Sequence, residues 1–76
     1  MVHQECQSCR EIGELIRKER KKQGLTQLQL SGVAGTGVRF LSDLENGKPT
    51  AELEKVLLIV RTLGLGMFIY SPWENE

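Results

Sequence analysis

Apolar residues along the chain fall into four stretches with helical spacing, followed by one short strand-prone run. Across residues 10–23 they are Ile12, Leu15 and Ile16, at i, i+3 and i+4, one stripe of an amphipathic helix. Gly24 ends that stripe, as a glycine past the last turn commonly does. Thr26 is a good N-cap with Gln29 three positions on, and Leu25 and Leu30 flank the cap as a hydrophobic staple. A short second helix over 27–33 follows, broken by Gly35-Thr36-Gly37. A third spans 38–46, with Leu41 and Leu44 on one face, and Asn46-Gly47-Lys48-Pro49 closes it.

Thr50 is placed to cap a fourth helix over 51–63, where Leu53, Val56, Leu57, Val60 and Leu63 keep helical spacing. Leu58 and Ile59 widen its stripe, which implies burial on two sides, against the domain and against a second copy. Met67, Phe68, Ile69 and Tyr70 form a β-prone run between Gly66 and Ser71-Pro72. A lone strand is unstable in water, and the helices offer it no partner, so pairing with the same strand of a second subunit is expected. Residues 1–9 show no periodicity and read as a flexible arm.

With 76 residues the chain builds one small domain, marginal alone, which again favours a homodimer. No stretch approaches the roughly 18 apolar residues of a membrane span, and the polar start is unlike a signal peptide. A cytoplasmic protein with no membrane partner is expected. Net charge is zero, yet residues 1–50 carry eight Lys/Arg against six Asp/Glu, and residues 51–76 two against four. Half of the ten basic residues lie in one run: Arg17, Lys18, Arg20, Lys21 and Lys22. Such a cluster suits phosphates, and suits equally a solvated helix face with Glu14 and Lys18 as an i,i+4 pair.

Cys6-x-x-Cys9 with His3 is a metal or redox constellation in outline. Zinc wants four ligands and these are three, so no metal or other cofactor is expected. A thioredoxin-type pair needs a strand before it and a helix after it, whereas this pair lies on a polar arm and reads as reduced thiols. The chain has one His and no Ser/His/Asp set or phosphate-binding glycine loop with a Lys, so an enzyme is not expected.

Two short helices around a glycine-containing turn make a helix-turn-helix unit, whose second helix enters the major groove. Gly35 supplies the turn, and Ser31 the small residue where the helices approach. The run Gly24-Leu25-Thr26-Gln27, Leu30, Gly35 and Leu41-Ser42-Asp43-Leu44-Glu45-Asn46-Gly47-Lys48 resembles the phage-repressor-type, or Xre-family, helix-turn-helix. The likeness covers about residues 10–64. The later segment Gly47-Lys48-Pro49-Thr50, Lys55-Val56-Leu57 and Leu63-Gly64-Leu65, with its apolar run, is similar to the HipB-type antitoxins, repressors encoded with a HipA-type kinase toxin.

The resemblance implies an all-α, four-helix, lambda-repressor-like fold with a short C-terminal β-strand paired across a dimer. The implied divisions are an arm at 1–9, a DNA-binding domain at 10–64, a dimerisation strand at 65–70 and a tail at 71–76. Val38, Arg39, Ser42 and Asp43 match base-facing positions, with Arg39 suited to guanine, Val38 to a thymine methyl, and Asp43 to a cytosine amine or to orienting Arg39. Thr26, Gln27, Asn46 and Lys48 match phosphate-facing positions. Arg20 and Glu45 match a structural ion pair tying the first helix to the third, with Arg20 as a phosphate ligand the alternative. Dimerisation falls to Ile59, Leu63, Met67, Phe68, Ile69 and Tyr70. Trp73 is read as an anchor for a partner protein, or as packing on the dimer or the strand. Gly37 and Val38 depart from the polar residues usual at the start of the recognition helix, and Gly32 weakens the helix that holds it.

The implied function is a sequence-specific repressor of double-stranded operator DNA. It acts as the antitoxin of a HipBA-like operon, controlling its own promoter and binding a HipA-like kinase toxin. A stand-alone Xre-type regulator is the alternative, and a metal- or redox-sensing regulator using Cys6 and Cys9 is a third reading.

Overall fold

A computed structural model describes residues 4–50 and 52–73. They form four helices: α1 (Cys9–Lys22), α2 (Gln27–Ala34), α3 (Val38–Glu45) and α4 (Leu53–Thr62). None is long and apolar enough to cross a membrane.

Helix α1 starts at Cys9, because the Ser8 hydroxyl accepts the Glu11 N–H at 3.1 Å. The Glu11 carboxylate reaches back to the Gln7 N–H at 2.6 Å. Its last turn carries Arg20, Lys21 and Lys22, which complement the helix dipole. Beyond it the Gly24 N–H donates to the Lys21 carbonyl and the Leu25 N–H to that of Arg20, a Schellman end. Helix α2 opens on a complete capping box between Thr26 and Gln29, as the spacing predicts. It ends at Gly35, whose φ of 80° lies in the left-handed region.

Helix α4 begins at Leu53, later than the sequence suggests. The Thr50 hydroxyl does accept a backbone N–H, but that of Glu52 at 3.0 Å, a local turn rather than a helix cap. Ala51, the expected first residue, lies outside the described residues, as does His3.

One core joins the helices. Ile16, Leu30, Leu41 and Ile59 are fully buried, and Ala34, Leu44, Val56, Val60 and Leu63 surround them. This corrects the sequence reading of Ile59 and Leu63 as dimerisation residues. At 0% and 4% exposure, they are taken up by their own chain's core. The apolar residues that α4 leaves outside are Leu53, at 60% exposure, and the half-buried Leu57 and Leu58.

No strand is present among the described residues. Residues 67–70 have no ladder partner among the described residues, and a strand exists only as a member of a ladder. Phe68, Ile69 and Tyr70 remain largely exposed.

Two helix glycines have opposite meanings. Gly13 lies where α1 crosses α3, and a Cβ there would overlap the Leu44 carbonyl oxygen. Gly32 is exposed, with nothing near the place a Cβ would take. Gly32→Ala is expected to stabilise the domain by about 0.5–1 kcal/mol. Gly13→Ala should cost more than that gain, because backbone must shift. Urea unfolding of both variants checks the pair of signs.

Candidate nucleic-acid interface

Helices α2 and α3 with the turn at residues 35–37 form the helix-turn-helix unit. An eight-residue helix such as α3 has little stability of its own, so its placement depends on what holds it. Its N-cap is Gly37, which provides no side-chain bond. Leu41 and Leu44 anchor it in the core. Lys55 of α4 lies over the Phe40 ring, 5.5 Å from the centroid, and is held at its other side by Glu52 at 2.9 Å.

The strongest fixing is at the last residue of α3. One oxygen of the Glu45 carboxylate accepts Arg20 Nε–H at 2.7 Å. The other accepts Arg20 Nη2 at 3.0 Å and Gln27 Nε2, also at 3.0 Å. Arg20 Nη1 then donates to the Leu25 carbonyl at 2.7 Å, in the loop between α1 and α2. The Arg20 and Glu45 side chains are only 9% and 2% exposed. The hydrogen bond with Glu45 raises the Arg20 pKa above its ordinary value, so the guanidinium stays charged. One carboxylate on α3 thereby holds α1, α2 and the loop between them. Gln23 adds a second tie, donating to the Leu63 carbonyl at 2.7 Å and so linking the ends of α1 and α4.

Around this framework, the expected DNA-facing residues divide into two groups. Val38 and Arg39 are exposed at the start of α3, and no described residue makes a hydrogen bond or ion pair with the Arg39 side chain. Ser42 and Asp43 follow on the same outer face, half-buried. Asp43 does not orient Arg39; it faces Lys48, with Nζ 3.9 Å from its carboxylate. Asn46 and Lys48 are exposed just after α3. In the second group, the side chains have internal work. Gln27 gives a hydrogen to Glu45, and the Thr26 hydroxyl oxygen accepts the Gln29 N–H. Each keeps a further polar group: the rest of the Gln27 amide and the Thr26 hydroxyl hydrogen.

Of the basic run, Arg17, Lys18, Lys21 and Lys22 are exposed on α1, while Arg20 is withdrawn into the junction. Phe40, Lys55 and Gly13 were missed by the motif. Phe40 and Lys55 are eccentric to any pattern, but Gly13 had a signal, since an interior helix glycine asks what its missing side chain makes room for. Trp73 is 87% exposed, outside the core formed by the described residues. Cys6 and Cys9 are free thiols, both half-buried, and no cluster of metal-binding side chains occurs among the described residues.

A helix-turn-helix family model matches residues 16–68. An uncharacterized HTH-type transcriptional regulator, y4mF of Sinorhizobium fredii, is 53% identical over 66 residues, covering 87% of each chain. Among solved structures, a HipB variant in an O2 20mer complex superposes with a TM-score of 0.82 at 22% identity, covering 93% of this chain and 99% of that one. HipB in a HipA-HipB-O2-O3 complex gives a TM-score of 0.82 at 23% identity, with coverage of 92% and 99%. At such identities the likeness establishes the fold.

Arg20→Ala leaves the Glu45 carboxylate buried without its cation. The expected loss is about 3–5 kcal/mol of stability, as for other broken buried pairs. A thermal melt equal to that of the parent chain would exclude this role for Arg20.

Proposed function

The chain belongs to the helix-turn-helix family, in its Xre-type branch, and from that premise we propose that it is a sequence-specific DNA-binding repressor serving as the antitoxin of a HipBA-like operon. The observation that carries the DNA-binding part is the pairing of a fixed α3 with an unengaged Arg39 at its exposed start. A guanidinium held on a rigid helix, with no partner among the described residues, is prepared for the O6 and N7 of a guanine. Val38 beside it meets a thymine methyl, and Ser42 and Asp43 complete the base-facing set. Asn46, Lys48, Thr26 and the free part of Gln27 take phosphates. The N-terminus of α2 favours an anion there as well.

Two such heads are set at a fixed spacing by a homodimer joined through the strand-prone residues 67–70. Support comes from Phe68, Ile69 and Tyr70, at 70%, 99% and 64% exposure, apolar surface that a soluble monomer seldom leaves contiguous. The operator is then roughly palindromic, with half-sites about 34 Å apart or a multiple of that. The domain divisions at 1–9, 10–64, 65–70 and 71–76 follow the same plan.

The antitoxin part rests on the shared fold with HipB, one of whose structures includes HipA, and on the 53% identical regulator. A HipA-like kinase is the proposed second partner, and the exposed Trp73 its anchor. A stand-alone regulator is favoured instead if no kinase-type reading frame adjoins the gene.

Titration of the chain's own upstream DNA, at controlled salt and with competitor DNA, tests the DNA-binding part. Binding should exceed that to competitor and fall steeply with salt. Arg39→Ala should lose about 1–3 kcal/mol and relax preference at one base pair, whereas Lys48→Ala should weaken all sequences alike and reduce the salt slope by about one. Equal binding to promoter and competitor would contradict autorepression. Removing residues 71–76 should weaken capture of the neighbouring kinase more than capture of DNA. Unchanged affinity for the kinase would exclude the tail as its anchor.

A further inference from the structure

The Cys6-x-x-Cys9 pair encloses the cap of α1. The two residues between the cysteines, Gln7 and Ser8, make both capping bonds: the Gln7 N–H donates to the Glu11 carboxylate at 2.6 Å, and the Ser8 hydroxyl accepts the Glu11 N–H at 3.1 Å. Ser8 is extended, with φ −153° and ψ 161°, and no hydrogen-bonded turn spans Cys6 to Cys9. A disulfide needs Cα atoms about 4.4–6.8 Å apart, a separation that four successive residues reach by folding into a turn. The cap and the bridge therefore ask different conformations of the same two residues.

The cap also stands beneath the C-terminal segment. Glu5, next to Cys6, accepts the Tyr70 hydroxyl at 2.6 Å. Cys9 lines an apolar cleft of about 200 Å³ together with Ile12, Leu44, Val56 and Met67. Burial, with the Glu11 carboxylate adding to it, raises the Cys6 pKa and so keeps the thiol protonated.

We propose that Cys6 and Cys9 form a redox switch on the cap of α1: the capped helix holds the pair reduced, and closing the bridge uncaps α1 and loosens the Glu5–Tyr70 clasp. A suitable oxidant is a small disulfide such as glutathione disulfide. One cysteine gives up its proton and its thiolate attacks, the S–S bond breaks, and one glutathione leaves as a thiolate that takes up a proton. The second cysteine likewise loses its proton and attacks the protein sulfur of the mixed disulfide, and the second glutathione thiolate leaves and is protonated. Two protein thiols and one glutathione disulfide thus give one protein disulfide and two glutathione thiols. Linkage makes the effect reciprocal: whatever the bridge costs the folded chain in stability, folding costs the bridge in formation.

The test equilibrates the full chain in glutathione buffers of graded ratio, once native and once in denaturing urea, and counts bridged chains by mass. The oxidation constant should be about five-fold lower in the folded chain, the ratio that loss of a helix cap converts to. The bridged chain should melt about 4–8 °C below the reduced one, and the Glu11 and Ile12 amides should exchange faster. Cys6→Ser/Cys9→Ser should melt at the same temperature with and without glutathione disulfide. An oxidation constant in the folded chain equal to or above that in urea overturns the proposal. An unchanged melt on bridging, or bridges formed only between chains, does so too. None of these readouts involves DNA, so they stand apart from the repressor reading.

Discussion

The carboxylate of Glu45 accepts hydrogen bonds from two helices while belonging to a third, and the geometry of the reading head follows from that junction. Taking both charges out of water costs several kcal/mol per ion, so the pair is tolerable only with near-complete hydrogen bonding. That condition is met: Arg20 donates twice to Glu45 and once to the Leu25 carbonyl, and Gln27 takes up remaining acceptor capacity. Such a junction contributes definition more than gross stability, since any displacement of α2 or α3 exposes an unpaired charge to an apolar surround. Gly13 is its steric counterpart. By carrying no side chain, it lets the α1 backbone lie against Leu44 and Glu45 of α3.

The consequence for recognition is a division of labour along α3. Its inner residues, Leu41, Leu44 and Glu45, are committed to the core and the junction. Val38 and Arg39 project from the first turn, with Ser42 and Asp43 beyond them. Discrimination between bases falls steeply with misplacement of the contacting group, so a short helix is usable for reading only if others hold it still. Lys55 over Phe40 adds a hold from α4 near the middle of the helix.

Much of this was legible in the sequence, for definite reasons. Helical spacing in Ile12, Leu15 and Ile16 and the Thr26–Gln29 box are local signals, and local signals survive packing. The helix-turn-helix motif carried Arg20 and Glu45 into view as partners, although no local rule joins residues so far apart. What escaped depends on surfaces rather than spacing. Gly13 belongs to no motif or stripe, and only the crossing of α1 with α3 gives it purpose. Ile59 and Leu63 belong to a stripe too broad for one face, and the sequence does not say which members face the domain; Leu53 and the half-buried Leu57 and Leu58 are the ones left outside. Thr50 has cap chemistry two residues too early, because its hydroxyl closes a turn first. Residues 67–70 have the composition of a strand, but a strand needs a ladder partner, and none is present among the described residues.

Beside this framework Glu5, before α1, meets Tyr70, after α4, through one exposed hydrogen bond outside the core. The framework itself stands or falls on the coupling between Arg20 and Glu45. A double-mutant cycle with Arg20→Met and Glu45→Leu, each measured by urea unfolding, isolates that coupling from the loss of the individual side chains. Coupling of about 2 kcal/mol or more, with the double variant more stable than either single one, is the predicted result. Additive losses, to within about 0.5 kcal/mol, would contradict it.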